Sequence, residues 1–328
     1  MKIQILRAGF VTSVQDLGRE GFRQFGVSLG GALDRYALRV ANLLVGNDES
    51  AAGLEITFGG LQLCFADERI VAWSGGEFDA GVGSASVAPG HPFLLCEGEE
   101  LTIDRPRIGS RAWLAISGGI NVPIVLGSRS TDLRANFGGL DGRALRDGDE
   151  IPLGTNSERA NILIEKLCAE KIARWKPPHD WSSTARPDPV LRFIPGADWN
   201  RFNDLTIQQF TTEILVVSPD SDRMGARFDA PELKRGDDVD LVSEGVAPGT
   251  IQVPPSGKPI LLLGDCQTIG GYPKIAHVIT VDLPIAAQLR AGDQVRFREV
   301  SLADAHRLWL DRERDLTQFR QGLETHFS

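Results

Sequence analysis

Two polar segments of the chain carry the side chains best suited to chemistry. Residues 264–277, GDCQTIGGYPKIAH, follow a short apolar run and carry four hydrogen-bonding side chains on a glycine-rich loop, namely Gln267, Tyr272, Lys274 and His277. Binding and catalytic groups are commonly found on loops held by a rigid sheet. We therefore predict that Lys274 and His277 are catalytic and that Gln267 and Tyr272 bind substrate. The alternative for Lys274 is an ordinary surface charge.

The second polar segment, residues 126–139, reads LGSRSTDLRANFGG. Its guanidinium groups, Arg129 and Arg134, have the fork geometry that binds a carboxylate through two parallel hydrogen bonds, so we predict that both bind substrate. Asp132 between them is a candidate catalytic base. The alternative is that Asp132 caps a turn and that the two arginines are solvated.

Two carboxylates, Glu55 and Glu244, occupy matching places in two similar stretches of the sequence. Glu55 opens the strand that leads to Gln62, and a carboxylate at the same place in both stretches favours a shared structural turn. Glu244 precedes GVAPGTIQVPP, and this loop-rich context favours a pocket wall. We predict that Glu244 and the nearby Gln252 bind substrate.

Several common catalytic motifs are absent from the sequence. The segment Ser256-Gly257-Lys258 is followed by Pro259, which has no backbone N–H to offer a phosphate, so no Walker-type loop is present. The chain contains no H-E-x-x-H motif, and its five histidines are dispersed. Its four cysteines lack CxxC spacing. We expect no metal site, no ATP site on this chain alone and four reduced thiols.

Composition narrows the class of protein further. The chain has 328 residues, enough for about two domains, and a net charge of -9 without a basic block, which argues against a nucleic-acid partner. Its apolar runs are far shorter than the roughly 18 residues of a membrane helix. The N-terminus, MKIQILRAGF, lacks the apolar run of a signal peptide. We expect a cytoplasmic protein that does not enter a membrane.

The elements that position these residues are predicted to be mostly strands. Short apolar runs are cut by 36 glycines and 18 prolines, a pattern typical of β-sandwiches or barrels, so we predict an all-β fold. Three segments have helical periodicity: 34–44, 159–175 and 302–323. They are expected to be peripheral.

The sequence also suggests an internal duplication. Three pairs of features recur in the same order, namely Asp34-Arg35 with Asp222-Arg223, Glu55 with Glu244, and LRDGDEI at 145–151 with LRAGDQV at 289–295. The first copy carries an extra segment of about 45 residues around Gly75 to Arg111. The stretch 177–189, PPHDWSSTARPDP, lacks periodicity and is the best linker candidate.

We therefore predict four parts of the chain. An N-terminal domain with an insertion covers 1–156, and a helix and linker cover 157–189. A C-terminal domain covers 190–300, and a helix covers 301–328.

Long motifs give the chain a family resemblance. The sequence resembles the family of 5-oxoprolinase C subunits, also called biotin-dependent carboxyltransferase or allophanate hydrolase subunit 2. Six segments carry this resemblance: TSVQDLGREGFRQFGVSLGGALDRYALRVANLLVGN at 12–47, LEITFGG at 54–60, AISGGINVPIVLGSRSTDLRANFGGLDGRALRDGD at 115–149, SPDSDRMGARF at 218–228, SEGVAPGTIQVPPSGKPILLLGDCQTIGGYPKIAHVI at 243–279 and LRAGDQVRF at 289–297. The resemblance implies two cyclophilin-like β-barrel domains. These matches cover most of the chain outside the linker and the C-terminal helix.

The resemblance also implies an activity and partners. Family members open 5-oxoproline to L-glutamate at the expense of ATP, together with the A and B subunits of 5-oxoprolinase. Others are the carboxyltransferase part of biotin-dependent urea or guanidine carboxylases, and a relative counters a kinase inhibitor that resembles the B subunit. The only methionines are Met1 and Met224, so the chain has no biotinylation motif and any biotin is expected on another chain. We favour the 5-oxoprolinase role, with carboxyl transfer and regulation as the alternatives.

This chemistry assigns roles to the polar side chains. Donors are needed where negative charge develops on the amide oxygen, and Arg129, Lys274 and Tyr272 are the candidates. A general base toward water would be Asp132, Glu244 or His277. The alternative is that the polar loops form an interface and that the chemistry lies on another protein of the complex.

Overall fold

The chain forms two compact units in a computed structural model that describes residues 1–236 and 241–327. Unit 1 contains 1–19, 30–185 and the chain from Asp315, whereas unit 2 contains 20–29 and 186–314. The change from unit 1 to unit 2 between Ala185 and Arg186 falls inside the segment predicted as a linker. The predicted bounds of the domains stay a prediction.

Strands dominate both units. The strands are β1 (Lys2–Ala8), β2 (Val11–Gln15), β3 (Gly53–Thr57), β4 (Leu61–Phe65), β5 (Arg69–Val82), β6 (Ala85–Ser86), β7 (Phe93–Leu95), β8 (Glu100–Ile116), β9 (Glu150–Pro152), β10 (Val190–Pro195), β11 (Leu215–Val217), β12 (Gly225–Asp229), β13 (Glu244–Gly245), β14 (Thr250–Gln252), β15 (Ile260–Leu262), β16 (Ile269–Gly270), β17 (Lys274–Val278) and β18 (Gln294–Glu299). The α-helices are α1 (Arg35–Leu44), α2 (Glu158–Leu167), α3 (His179–Ser182), α4 (Asp204–Thr212), α5 (Leu283–Ala286) and α6 (Leu302–Phe327). Strand accounts for 33% and helix for 22%, which confirms the predicted fold class.

The sheet of unit 1 follows the order β2-β3-β8-β4-β1-β9, with β5 pairing β6, β7 and β8, and curls into a half-barrel. The long strands β5 and β8 run antiparallel from Val71–Ile116 to Val82–Leu101. Much of the predicted extra segment therefore lies on the paired arms of these two strands. The inner face of the sheet buries apolar side chains, including Trp73.

Helix α1 covers the other face of this sheet. It begins where the Asp34 carboxylate accepts a hydrogen bond from Ala37 N at 2.7 Å, which satisfies one of the unpaired N–H groups of the first turn. The predicted apolar stripe is buried and packs with Ile70, Ala72 and Ala115 of the sheet. Leu316 and Leu323 of α6 join the same cluster. The predicted helix over 34–44 is confirmed.

Unit 2 contains a closed barrel in the order β10-β17-β14-β15-β12-β11-β18. All its pairs are antiparallel except β10 with β18, whose parallel register closes the barrel. Four phenylalanine rings fill the interior with centroid separations between 4.9 and 6.5 Å, namely Phe193, Phe210, Phe228 and Phe297. Such aromatic pairs add stabilisation beyond their buried area. The barrel is therefore a packed core that holds its loops in place.

The prediction of one helix over 159–175 is wrong in its extent. Helix α2 ends at Leu167, and Lys171 adopts a left-handed φ of 64° that interrupts the helical geometry. The chain then runs back along the sheet, where Phe93 and Ile172 form an antiparallel bridge. Pairing with the sheet edge thus overrides a helical pattern that contains no glycine or proline to end it.

The segment 177–189 carries more structure than its composition suggests. It contains α3, and Thr184 is buried, with its hydroxyl donating to the Asp34 carboxylate at 2.8 Å. Trp181 packs edge-on against Tyr36 and Phe319. Residues up to Ala185 therefore belong to the packing of unit 1.

Across the described ranges 1–236 and 241–327, no helix is both long enough and apolar enough to span a bilayer. The cytoplasmic location expected from the N-terminus stays a prediction.

Candidate functional site

Lys274 lies at the centre of a charged cluster in unit 2. It begins β17 and is 8% exposed. Its Nζ lies 3.3 Å from Asp198 Oδ2 and 3.1 Å from Glu244 Oε2. The two carboxylates differ, since the Asp198 side chain is 12% exposed and that of Glu244 is 63% exposed. One buried and one solvated carboxylate therefore hold the ammonium group.

The barrel strands bring Asp198 to Lys274 across 76 positions of sequence. β10 pairs antiparallel with β17, and the chain then turns at Gly196 into the 3-10 turn Trp199–Arg201. A Cβ on Gly196 would lie 2.2 Å from Lys274 O, so a side chain there would collide with β17. Asp198 Oδ2 also accepts from Lys274 N at 2.9 Å. Both the backbone and the side chain of Lys274 are thus fixed by one carboxylate.

A polar cavity of about 450 Å³ lies in the same unit. Its walls include three of the predicted residues, Gln252, Gln267 and Tyr272. Gln252 is buried, and its Oε1 accepts from Gln267 Nε2 at 3.2 Å. It is also the strand partner of Lys274 in the β14–β17 pair. The glutamine amides and the Lys274 cluster are therefore neighbours in the barrel wall.

The cavity also offers charges that the sequence did not single out. Lys258 and Asp229 form an ion pair at 2.6 Å on its wall, and Asp222 and Arg227 are further lining residues. The Asp222 carboxylate accepts from Met224 N at 2.8 Å, which fixes the turn before β12. Amide groups, both signs of charge and a volume of this size suit a small polar ligand.

His277 lies elsewhere on β17. Its Nδ1 is 3.3 Å from the Thr250 hydroxyl, and it pairs across the sheet with Thr250 and Ile194. Burial lowers the pKa of the imidazole, because a charged ring would lose its hydration. The ring is therefore neutral at neutral pH, a state that permits base catalysis or a purely structural hydrogen bond.

The other three predicted residues belong to unit 1. Asp132 is buried and its Oδ1 accepts from Arg134 N and Ala135 N at 3.1 and 2.9 Å, which is the turn cap considered as the alternative. Arg134 is exposed. Arg129 lines a second cavity of about 330 Å³, and its Nη2 donates to Asn121 Oδ1 at 3.0 Å. Arg129 is the better placed of the two arginines to receive an anion within this unit.

Asp16 organises the Arg129 loop and was missed by the sequence analysis. Its carboxylate accepts from the Ser128 and Ser130 hydroxyls at 2.6 Å each and from Arg129 N at 2.6 Å. It lies more than a hundred positions away in sequence, and its only local signal is the dipeptide Gln-Asp after a strand. Asp198 has an equally weak signal, an Asp in a Pro-Gly-Ala-Asp turn.

The structure also bears on phosphate and metal binding. Ser256 and Gly257 form a tight turn in which Gly257 N donates to Pro254 O, and the Lys258 ammonium is engaged by Asp229. This arrangement does not provide the N–H cradle of a phosphate loop. Within residues 1–236 and 241–327, no three His, Cys, Asp or Glu side chains form a group that could hold a metal ion.

Comparison with known proteins establishes the family. Residues 25–299 match the model of the family described as "Carboxyltransferase domain, subdomain A and B". The chain belongs to this carboxyltransferase family. The C subunit of the Escherichia coli 5-oxoprolinase is 40% identical over 96% of this chain and 97% of its own length. The C subunit of the Haemophilus influenzae 5-oxoprolinase is 35% identical over 97% of this chain and 98% of its own length. The family resemblance drawn from the sequence motifs is confirmed.

A solved structure extends the comparison to larger carboxyltransferase-family proteins. The urea carboxylase of Kluyveromyces lactis is 29% identical, with a TM-score of 0.88 over 97% of this chain. The chain spans only 29% of that protein. The chain is therefore similar over its full length to C subunits of 5-oxoprolinases and to one part of a longer urea carboxylase, a similarity that indicates a component of an enzyme complex.

Proposed function

We propose that this chain is the C subunit of an ATP-dependent 5-oxoprolinase, which opens 5-oxoproline to L-glutamate together with the A and B subunits. The observation that carries the proposal is the 40% identity to the C subunit of the E. coli 5-oxoprolinase, which extends over nearly the full length of both chains. The reaction class is hydrolysis of a cyclic amide.

The cavity of unit 2 supports a site for a small amide. The Gln252 and Gln267 side chains supply amide donors and acceptors, and Lys274 lies one strand away. Negative charge that develops on a lactam oxygen is stabilised by fixed donors that need no reorganisation. The Lys274 ammonium is held in this way by Asp198 and Glu244. Glu244, the solvated partner, is the one free to change its contact when a ligand enters.

ATP is assigned to another protein of the complex in this proposal. The turn at 256–258 lacks a phosphate cradle, and its lysine is paired with Asp229. In this division of labour, this chain would bind and orient the lactam. Arg129 in unit 1 is a separate candidate for a carboxylate and is tested by its own variant.

The test is ATP-dependent release of glutamate from 5-oxoproline by this chain co-purified with its cognate A and B subunits. Each of the three proteins is omitted in turn. Activity that requires this chain supports the proposal, and an assembled complex without activity contradicts it.

A pair of variants separates a site from an interface. Lys274→Ala should abolish turnover while the complex still elutes as one species. Lys234→Ala removes an exposed lysine of the same unit that pairs with Glu232, and it should leave activity unchanged. Loss of assembly in Lys274→Ala alone would instead assign the cluster to contact between the proteins of the complex.

The second candidate function is carboxyl transfer in a biotin-dependent urea-type carboxylase. The structural similarity to the K. lactis urea carboxylase favours it. Biotin would then be carried on another chain. Urea has no carboxylate, so this function predicts that Arg129→Ala leaves the substrate KM unchanged. The 5-oxoprolinase role, with Arg129 on the substrate carboxylate, predicts a raised KM for 5-oxoproline. Transfer of a labelled carboxyl group from N-carboxybiotin to urea, with release of biotin, measures the alternative directly.

A further inference from the structure

One lysine and one cysteine of unit 1 approach more closely than the partners of an ordinary N–H···O hydrogen bond. Lys171 Nζ lies 2.6 Å from Cys96 Sγ, although the residues are 75 positions apart in sequence. Ordinary N–H···O bonds have a heavy-atom separation near about 2.9 Å, and sulfur is larger than oxygen. The separation is about that of two atoms joined through a single bridging oxygen.

The backbone around this pair is fixed on both sides. Cys96 follows β7, and its N–H donates to Glu99 Oε2 at 2.7 Å within a tight turn. Lys171 O accepts from Leu94 N at 2.7 Å. Its own φ of 64° lies in the left-handed region that few residues other than glycine adopt. The scaffold therefore fixes the two backbone positions from which the Lys171 and Cys96 side chains meet.

The surroundings of the pair are acidic and open to solvent. Glu68 Oε1 lies 3.7 Å from Sγ, and Glu99 Oε2 lies 3.6 Å from Nζ. The hydrogen bond to Cys96 raises the pKa of Lys171, because the sulfur stabilises the charged ammonium form. Cys96 is partly exposed, so a small oxidant reaches it. Neither residue has a role in the proposed function.

We propose that Cys96 and Lys171 form a modification site at which a peroxide installs a covalent nitrogen–oxygen–sulfur bridge between the two side chains. One peroxide molecule oxidises the thiol to a sulfenic acid, with cleavage of the O–O bond and release of water. A second peroxide then oxidises the amine as its nitrogen bonds to the sulfenic oxygen, and two further waters leave. Sulfur and nitrogen each lose two electrons, and each peroxide gains two.

The bridge would join the turn after β7 to the segment after α2. An excess of a dithiol would reverse it. Two dithiol molecules each give two electrons on oxidation to the disulfide, and the bridge returns to the thiol, the amine and one water. Reversal by a dithiol distinguishes the bridge from the sulfinic and sulfonic acids of Cys96, which a dithiol does not reduce.

The experiment treats the folded chain with hydrogen peroxide, digests it and identifies linked peptides by tandem mass spectrometry. We expect a peptide pair joined through Cys96 and Lys171 with one oxygen gained and two hydrogens lost, a net gain of about 14 Da that a dithiol removes. Exposed Cys168 is the internal control for oxidant delivery. Oxidation of Cys168 without any linked pair would overturn the proposal.

Two variants locate the bridge. Lys171→Arg keeps the positive charge but has no primary amine, and Cys96→Ser keeps the size of the side chain. Both should lose the linked pair completely while keeping the circular dichroism spectrum of the parent chain. A linked pair that persists in Lys171→Arg would also contradict the assignment. The wild-type fragment spectrum identifies the two linked residues even if a variant fails to fold.

Discussion

The Lys274 cluster permits a quantitative test of which carboxylate fixes the ammonium group. Removal of one partner from a buried ion pair costs about 3–5 kcal/mol, because an uncompensated charge remains. Asp198 retains donation from Lys274 N at 2.9 Å and has Arg201 Nε at 3.3 Å. We therefore expect Lys274→Met to destabilise unit 2 by about 2–3 kcal/mol, below the full value.

The two carboxylates should contribute unequally to this cost. Glu244 is mostly solvated, and exposed ion pairs contribute about 0–1 kcal/mol, so Glu244→Gln should have a small effect. The double-mutant cycle of Lys274→Met with Asp198→Asn should give a coupling energy of about 1–2 kcal/mol. The same cycle with Glu244→Gln should give about 0.5 kcal/mol or less.

Hydrogen exchange followed by mass spectrometry measures the effect locally. A loss of about 2 kcal/mol raises the opening constant about 30-fold, so amides of β14 and β17 should exchange faster by that factor in Lys274→Met. Peptides from unit 1 provide the reference within the same sample. Equal effects of Glu244→Gln and Asp198→Asn would refute the assignment of Asp198 as the anchor.

Three further predictions concern other polar groups. The pKa of His277 is lowered in the folded chain, so its contribution to stability is present above the unfolded pKa of about 6.5 and is lost as the pH falls below that value. His277→Asn should therefore reduce the loss of unfolding free energy between about pH 7.5 and 5.5. An unchanged dependence of the unfolding free energy on pH would contradict this. Glu55→Ala should cost about 3 kcal/mol in urea denaturation, because the indole N–H of Trp113 at 2.9 Å and a backbone N–H at 3.0 Å lose a buried acceptor. Asp16→Ala should lower the unfolding free energy by about 2–4 kcal/mol and increase hydrogen exchange in the loop 128–130, whose groups donate to Asp16. Arg129→Ala should lower the unfolding free energy by less than about 0.5 kcal/mol. Equal losses in the two variants would contradict the assignment of Asp16 as the residue that organises the loop.

Local signals in the sequence explain what could be predicted of the fold. Helix α1 follows from its apolar stripe and from the cap at Asp34, since both act within a few residues. The turn cap by Asp132 was also among the interpretations open from sequence, because it needs only Arg134 and Ala135. The strand-rich class followed in the same way from short apolar runs between glycines.

Long-range contacts explain what could not be predicted. Asp198 reaches Lys274 only because β10 pairs with β17. Likewise, α2 ends early because the chain after it pairs with the sheet near Phe93, a contact that the helical pattern does not encode. The candidate site could therefore be named by residue type, but its partners became visible only once the strands were paired.

The interleaving of the two units has a consequence for synthesis on the ribosome. The chain passes into unit 2 at 20–29, returns to unit 1 and leaves it at Ala185, and then comes back at Asp315. Leu316 and Leu323, which close the apolar cluster beneath α1, are made after all of unit 2. An N-terminal region that usually folds as soon as it emerges must here wait with an open apolar face for its last helical turns. Nascent chains stalled before Leu316 should therefore be the ones that chaperones retain.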